Sequence, residues 1–172
     1  IGQIDKVYLK NLMDYNKILA QRNALLKYFA KNRTFDAETL EIYNHQMNEL
    51  AHPIYEKRKA FMEVFISIFS KRHFSISNGV EKIGIQYVSD LNKKNMSELL
   101  DQSLEKDKIL QFTSVGIHKD DIDLLINGML IKKFGSQGQQ KTFLIALKIA
   151  QFDFIKKKSG MNPIVLLDDI FD

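Results

Sequence analysis

The chain has 172 residues, 45% of them apolar, a formal charge of +4 and an isoelectric point near 9.1, which is material for one domain of ordinary core size or one and a half small ones. No cysteine is present, so a disulfide framework and a thiolate metal centre are excluded, and no apolar run approaches the roughly 18 residues of a membrane span. With no signal-peptide pattern, a cytoplasmic protein is expected, tilted mildly toward polyanions but without a basic tail.

From Asp5 to about Asn32 apolar residues recur at helical spacing, with Leu12, Tyr15, Leu19, Leu26 and Phe29 on one stripe and Lys10, Lys17 and Lys27 off it, which predicts a long amphipathic helix. After Lys31-Asn32-Arg33-Thr34, Asp36 is placed as an N-cap, with Phe35 and Leu40 as a hydrophobic staple and Glu38 in the first turn. The helix so started repeats apolar residues every seven positions, at Leu40, Met47, Ile54, Phe61 and Ile68, with Tyr43, Leu50 and Val64 between them. Such a seam asks for a partner helix, and the preceding helix is the nearest, so residues 5 to 72 read as an antiparallel hairpin. Pro53 interrupts it, and a kink is expected there.

Beyond Ser77-Asn78-Gly79 the run Lys82 to Val88 reads as a strand, and Met96 to about Leu110 as a helix. Asn127-Gly128, between Ile122-x-Leu124-x-Ile126 and Met129-x-Ile131, is the dipeptide most suited to a type I′ hairpin. A long helix from Gln137 to about Lys157 follows, with Phe143, Leu147, Ala150 and Phe154 on its apolar face and Lys141 and Lys148 on its wet face. Ser159 to Pro163 ends it and leads to an apolar strand, Ile164 to Leu167, closed by Asp168-Asp169. The fold class expected is α/β, with a helical arm over residues 1–78 and a strand-helix unit over 79–172.

Two of these places carry chemistry. Ser136 followed by Gln139 is the pattern of a capping box, a purely structural device. Gly138 inside the first turn does not serve that device: it costs about 1 kcal/mol relative to alanine and removes a Cβ that would obstruct a phosphate approaching the helix start. Ile164 to Leu167 is apolar on both faces, as a central parallel strand is, and Asp168 and Asp169 fall at its carboxyl end, where α/β sheets place ligands. One carboxylate could hold a magnesium-bound water and the other orient an attacking water. His118, near Asp120, Asp121 and Asp123, reads as a hydrogen-bonding loop residue rather than a metal ligand. The phosphate-cradling pattern G-x-x-x-x-G-K-[ST] follows none of the glycines at 2, 79, 84, 116, 128, 135, 138 and 160. With Ile1 at one end and a stop three residues past the acidic pair, the chain reads as a piece of something longer.

The order S-x-G-Q, helix, four apolar residues and two acids is similar to the signature motif and Walker B strand of ABC-type ATPases. The longer series Thr113-Ser114-Val115-Gly116-Ile117-His118-Lys119-Asp120-Asp121, Asn127-Gly128, Lys133 to Thr142 and Ala146 to Gln151, with Tyr15-Asn16, Leu19 and Gln21-Arg22-Asn23 ahead of it, resembles the bacterial RecF family of DNA replication and repair proteins. The resemblance covers nearly the whole chain and departs at Ile117 and Lys119, where that family usually has proline and arginine. It implies an incomplete ABC-type ATPase head with a helical hairpin in place of the long coiled coil of Rad50 and SMC relatives. It further implies a parent that binds ATP and magnesium, hydrolyses ATP weakly and dimerises on it. Such a parent binds gapped DNA, acts with RecR and RecO to load recombinase at single-strand gaps, and serves the SOS response.

By position, Ser136 and Gly138 would contact the γ-phosphate bound by an opposing subunit, with Gln137 and Gln139 supporting the loop. Asp168 would hold magnesium through water, and Asp169 would be the catalytic carboxylate. These 172 residues alone are expected to be inactive, because the phosphate loop would lie upstream. Lys57-Arg58-Lys59, Lys71-Arg72-His73, Lys93-Lys94, Lys132-Lys133 and Lys156-Lys157-Lys158 are candidate DNA-phosphate contacts, each of which also reads as a solvated surface cluster. The alternative of another class is a helical module that pairs through the Leu40 to Ile68 seam and has no nucleotide function.

Overall fold

The computed structural model describes residues 1–79, 81–160 and 162–164. The element order is α1 (Lys6–Asn32), α2 (Ala37–Ser77), β1 (Ile83–Val88), α3 (Met96–Leu110), β2 (Asp121–Ile126), β3 (Met129–Leu130), α4 (Ile131–Phe134) and α5 (Gln137–Ser159), with single 3₁₀ turns at Asp90–Asn92 and Ile117–Lys119. Packing divides the chain into two units, residues 1–59 with 88–121, and 60–87 with 122–172. The division expected at residue 78 followed secondary-structure type, whereas these units follow packing.

In the first unit, Asp5 caps α1 by accepting the Tyr8 N–H at 2.8 Å. Asp36 does the same for α2, accepting the Thr39 N–H at 3.1 Å and the Thr39 hydroxyl. The two helices run antiparallel. Lys57 reaches Asp5 at 2.8 Å, Arg22 reaches Asn44 at 2.8 Å, and Leu26 and Phe29 pack with Leu40 near the tight turn. The expected hairpin is therefore present over this part of α2, where Leu40, Met47 and Ile54 are buried on its inner face. Phe35 sets its ring edge-on to Phe29 at 5.4 Å.

α2 continues through Pro53 as one helix of 41 residues. Past residue 59 its buried apolar positions are Met62, Phe65 and Phe69, while the expected Phe61 and Ile68 are only partly buried and Val64 is exposed. A straight α-helix drifts about 20° per heptad from a strict seven-residue repeat. Only a supercoiled partner helix would keep the seam in line, and in the second unit the partners are strands and α5 instead.

The second unit's sheet has the order β1-β2-β3. β2 and β3 pair antiparallel in the register Leu125↔Leu130 and Ile126↔Met129. Asn127 and Gly128, at φ 50° and 80°, make the expected two-residue turn, with left-handed torsions at both positions as a type I′ hairpin requires. The same turn ties down β1, since the Asn127 N–H donates to the Lys82 carbonyl at 2.6 Å and the Asn127 side chain accepts the Lys82 N–H at 3.3 Å. Ile85, Ile126 and Ile131 meet Phe65, Phe69, Phe143, Ala146, Ala150 and Phe154 in one apolar cluster. Ring contacts of 4.7 Å between Phe69 and Phe143 and 4.8 Å between Phe61 and Phe154 fix α5 against this part of α2. Each fully buried side chain of this size is worth about 1.5–3 kcal/mol.

Of the expected strand Ile164 to Leu167, only Ile164 is among the described residues, exposed and without regular structure. Asp168 and Asp169 lie outside the described residues. No helix among the described residues is long and apolar enough to cross a membrane.

Candidate functional site

The loop that enters α5 is built by its two glycines in different ways. Gly135 closes α4, its N–H donating to the Ile131 carbonyl at 2.8 Å. A Cβ on Gly135 would sit 2.6 Å from the Ile131 side chain and 2.7 Å from that carbonyl, so this glycine is required by packing. Around Gly138 a Cβ would meet no atom of the described residues within 4 Å. Gly138 is exposed in the first turn of α5, where glycine costs helix stability and no neighbouring atom needs the space.

Between them, Ser136 caps α5. Its backbone is extended at φ −62° and ψ 161°. The Ser136 Oγ accepts the Gln139 N–H at 3.2 Å, and the Gln139 Oε1 accepts the Ser136 N–H at 2.8 Å. The structural reading of this motif is thus realised, and it leaves material for more. The Ser136 hydroxyl proton is not used by the cap, because Oγ acts there as acceptor. The N–H groups of Gln137 and Gly138 belong to the helix start, where no intrahelical acceptor exists. Ser136, Gln137 and Gly138 are all exposed, and Gln139 is partly covered. A hydroxyl donor, two free amides, the positive end of a 23-residue helix and a missing Cβ suit a phosphate oxygen arriving from solvent. On these observations the loop fits a phosphate group.

Behind the loop, the Gln139 Nε2 donates to Glu81 Oε1 at 2.9 Å. Glu81 Oε2 lies 3.6 Å from Nε2 of His73, whose side chain is 1% exposed. The other ring nitrogen, Nδ1, sits 3.2 Å from the Ser77 hydroxyl. Burial holds the His73 pKa below its ordinary value, against the upward pull of Glu81. At 3.6 Å the carboxylate lies beyond hydrogen-bond distance, and the buried Nε2 has no hydrogen-bond partner among the described residues. Glu81 did not stand out in the sequence, and nothing there joined it to His73, because their proximity depends on a chain reversal and not on spacing. His73 had been grouped with Lys71 and Arg72 as a basic cluster; its burial removes it from any surface patch.

His118 behaves as a loop residue. Its Nε2–H donates to the Thr113 carbonyl at 3.1 Å, leaving Nδ1 to accept from the Tyr15 hydroxyl at 3.2 Å. Burial lowers its pKa and raises that of Tyr15. Gly116 is required beside it, at φ 108° with a Cβ position 2.5 Å from Met96 and 2.8 Å from the Tyr15 hydroxyl. Among the described residues no group of three or more His, Asp or Glu side chains is placed to hold a metal ion.

The candidate phosphate contacts divide. Arg58 is committed internally, to Asp120, to the Ile117 carbonyl at 2.6 Å and to the Tyr8 hydroxyl at 3.1 Å. Lys57 pairs with Asp5, and Arg72 forms a two-point pair with Asp153, its Nη2 at 2.9 Å. Lys132, Lys133, Lys156, Lys157 and Lys158 are exposed. A further polar group missed by the sequence reading is Arg22, which is fully buried. Its Nη1 donates to Asp107 at 2.9 Å and to Thr113 at 2.8 Å.

No protein-family model matches the chain. Among curated proteins, the DNA replication and repair protein RecF of Flavobacterium johnsoniae is 55% identical over all 172 residues. Those of Azobacteroides pseudotrichonymphae and Parabacteroides distasonis are 48% and 45% identical over the same length. The chain spans about half the length of these relatives, 48%, 46% and 46% respectively. A solved structure described as the recombination mediator protein RecF with ATP in the RecFOR pathway superimposes at a TM-score of 0.88 with 33% identity. It covers 97% of this chain and 47% of its own. A second, with ATPrS, gives 0.88 and 32%, over 96% of this chain and 47% of its own.

Proposed function

We infer that this chain, which belongs to the RecF family by similarity along its whole length, supplies the ATP-contacting signature loop of a DNA-repair ATPase. The observation that carries the reading is Gly138, a glycine in an exposed helix start that no contact among the described residues requires, two residues from a cap whose Oγ serves there as acceptor. Ser136 and Gly138 would meet the γ-phosphate held by an opposing subunit, while Gln137 and Gln139 hold the loop in shape. ATP, when bound, would supply the anionic group that joins two copies. The chain's own part is to present donors already aligned, so that little ordering is needed when the copies meet.

The parent would be a cytoplasmic, weakly hydrolysing ATPase that dimerises on ATP and works with RecO and RecR to load recombinase at gapped DNA. Within it, Asp168 is assigned to magnesium through water and Asp169 to the catalytic carboxylate. DNA contact would be directed at the phosphate backbone and therefore be salt-sensitive. Exposed lysines such as Lys132, Lys133 and Lys156 to Lys158 remain for it. An RecF structure solved with ATP supports nucleotide binding by proteins of this kind, and the placement of Ser136 on an exposed edge of the sheet-bearing unit favours this reading over a bare coiled-coil module.

The test uses the full-length protein. Ser136→Arg should leave nucleotide binding by the monomer intact and abolish ATP-driven dimerisation measured by light scattering. Normal dimerisation of that variant would refute the contact. The 172 residues alone, lacking G-x-x-x-x-G-K-[ST], should bind a fluorescent ATP analogue no better than about millimolar, roughly −4 kcal/mol.

A further inference from the structure

A glutamine in a capping box has two ways to set its side-chain amide, and the choice matters to the residue it caps. With Gln139 Oε1 toward the Ser136 N–H at 2.8 Å, the Nε2 group is turned to Glu81 at 2.9 Å. In the flipped state two donors would face each other at Ser136 and two acceptors at Glu81, so the Ser136 N–H and the Glu81 carboxylate oppose the flip from opposite ends of the amide. Behind Glu81 lies a buried imidazole. The reversal at Asn78-Gly79, with φ 55° and 73°, brings the chain back after α2, and a Cβ on Gly79 would strike Phe74 at 2.3 Å. The buried His73 Nε2 then faces the carboxylate from 3.6 Å. Three side chains in series, His73, Glu81 and Gln139, therefore run from the buried end of α2 to the cap of α5.

We propose that Glu81 is a positioning residue for the nucleotide-contacting loop: by fixing the Gln139 amide it holds the Ser136 N–H in the cap and leaves the Ser136 hydroxyl proton turned outward to donate. The proposal rests on the reading of residues 136–139 as an ATP contact. Glu81 touches neither nucleotide nor reacting atoms; it acts through Gln139. Its carboxylate would be an unwelcome neighbour for a phosphate if it lay in the loop, and its place behind the loop, where it accepts from the Gln139 amide, makes its charge tolerable there. A carboxamide at this position accepts the same hydrogen bond from Gln139, whereas a methyl group does not.

The experiment compares Glu81→Ala and Glu81→Gln in the full-length protein by two readouts. One is hydrogen–deuterium exchange of the peptide covering residues 136–140 without nucleotide. The other is the ATP concentration that gives half-maximal dimerisation by light scattering. Glu81→Ala should speed exchange in that peptide several-fold and raise the half-maximal ATP concentration about tenfold, the size expected for loss of a charged hydrogen bond. Glu81→Gln should restore both to within about twofold. Unchanged exchange in Glu81→Ala overturns the proposal, as does faster exchange with an unchanged ATP requirement, or a failure of Glu81→Gln to rescue. Ser136→Arg is the control on the underlying reading. If that variant dimerises normally, it is the ATP contact of the loop that fails, and Glu81's hold on the cap is then decided by exchange alone.

Discussion

The Arg22 and Asp107 pair allows a quantitative test of what stabilises the first unit. Both side chains are fully buried, 2.9 Å apart, and each has further partners. Arg22 also donates to Asn44 and Thr113, at 2.8 Å each. Asp107 accepts from the Ser114 N–H at 2.9 Å, the Ser114 hydroxyl at 2.7 Å and the Ser103 hydroxyl at 3.2 Å. Asp107→Asn keeps the acceptor for Ser114 but turns an amide donor on a guanidinium that has no other anionic partner among the described residues, so it should cost about 3–5 kcal/mol, the penalty for stranding a buried charge. Arg22→Met strands the carboxylate instead, but three donors still reach it, and about 1.5–3 kcal/mol is expected. With both changes no buried charge remains. The guanidinium also had one nitrogen, Nη2, without a protein acceptor, so its removal sacrifices less than a saturated network would. The double variant should therefore lose only about 2 kcal/mol, well below the combined losses of the single variants, giving a coupling of at least about 2 kcal/mol. Urea unfolding of this chain followed by far-UV circular dichroism measures all four corners of the cycle. Additive losses in the double variant would refute the buried-charge argument.

Gly138→Ala should raise the thermal midpoint, by an amount corresponding to about 0.5–1 kcal/mol of helix propensity, because a Cβ there meets open space. In the full-length protein the same change should weaken ATP-driven dimerisation, and unaltered dimerisation would argue against close approach of a phosphate. Gly135→Ala, by contrast, should cost about 1–3 kcal/mol in urea unfolding from its collision with Ile131; a neutral result would mean that α4 can shift freely. Stability should also fall on mild acidification. Burial holds His73 and His118 below the ordinary value of 6.5, so the unfolded chain takes up protons first. Their contribution is complete well above pH 6.5 and is lost progressively as pH falls from that value toward their lower folded values. The carboxylates with lowered values, Asp5 and Asp36, titrate below 3.8 and leave this window clear. A urea midpoint at pH 5.5 equal to that at pH 7.5 would contradict the placement of both histidines.

Local chemistry was readable directly from the residues. Asp36 and Ser136 cap helices because a short oxygen-bearing side chain before an apolar periodic run has a free N–H to accept. Asn127-Gly128 turns a hairpin because few dipeptides tolerate two left-handed torsions. Met96 to Leu110 forms one helix with the expected limits, and the capping box at Ser136 and Gln139 is present with both of its hydrogen bonds. These features depend on residues no more than a few positions apart, and the physics that sets them is equally short-ranged.

What only the tertiary structure decided depends on residues far apart in sequence. The seven-residue seam of α2 could not reveal that its first half packs on α1 and its second half on strands and α5, which moves burial from Phe61 and Ile68 to Met62, Phe65 and Phe69. Arg22 lies on a stretch rich in polar residues, and its burial depends on partners 85 and 91 positions away. Arg58 and His73 looked like parts of basic patches and are instead held inside their units. Glu81 reaches Gln139 across 58 residues, and no periodicity encodes that meeting. Side-chain type limits what a residue can bond to, but which buried partner it finds is settled only when the chain closes and water is excluded.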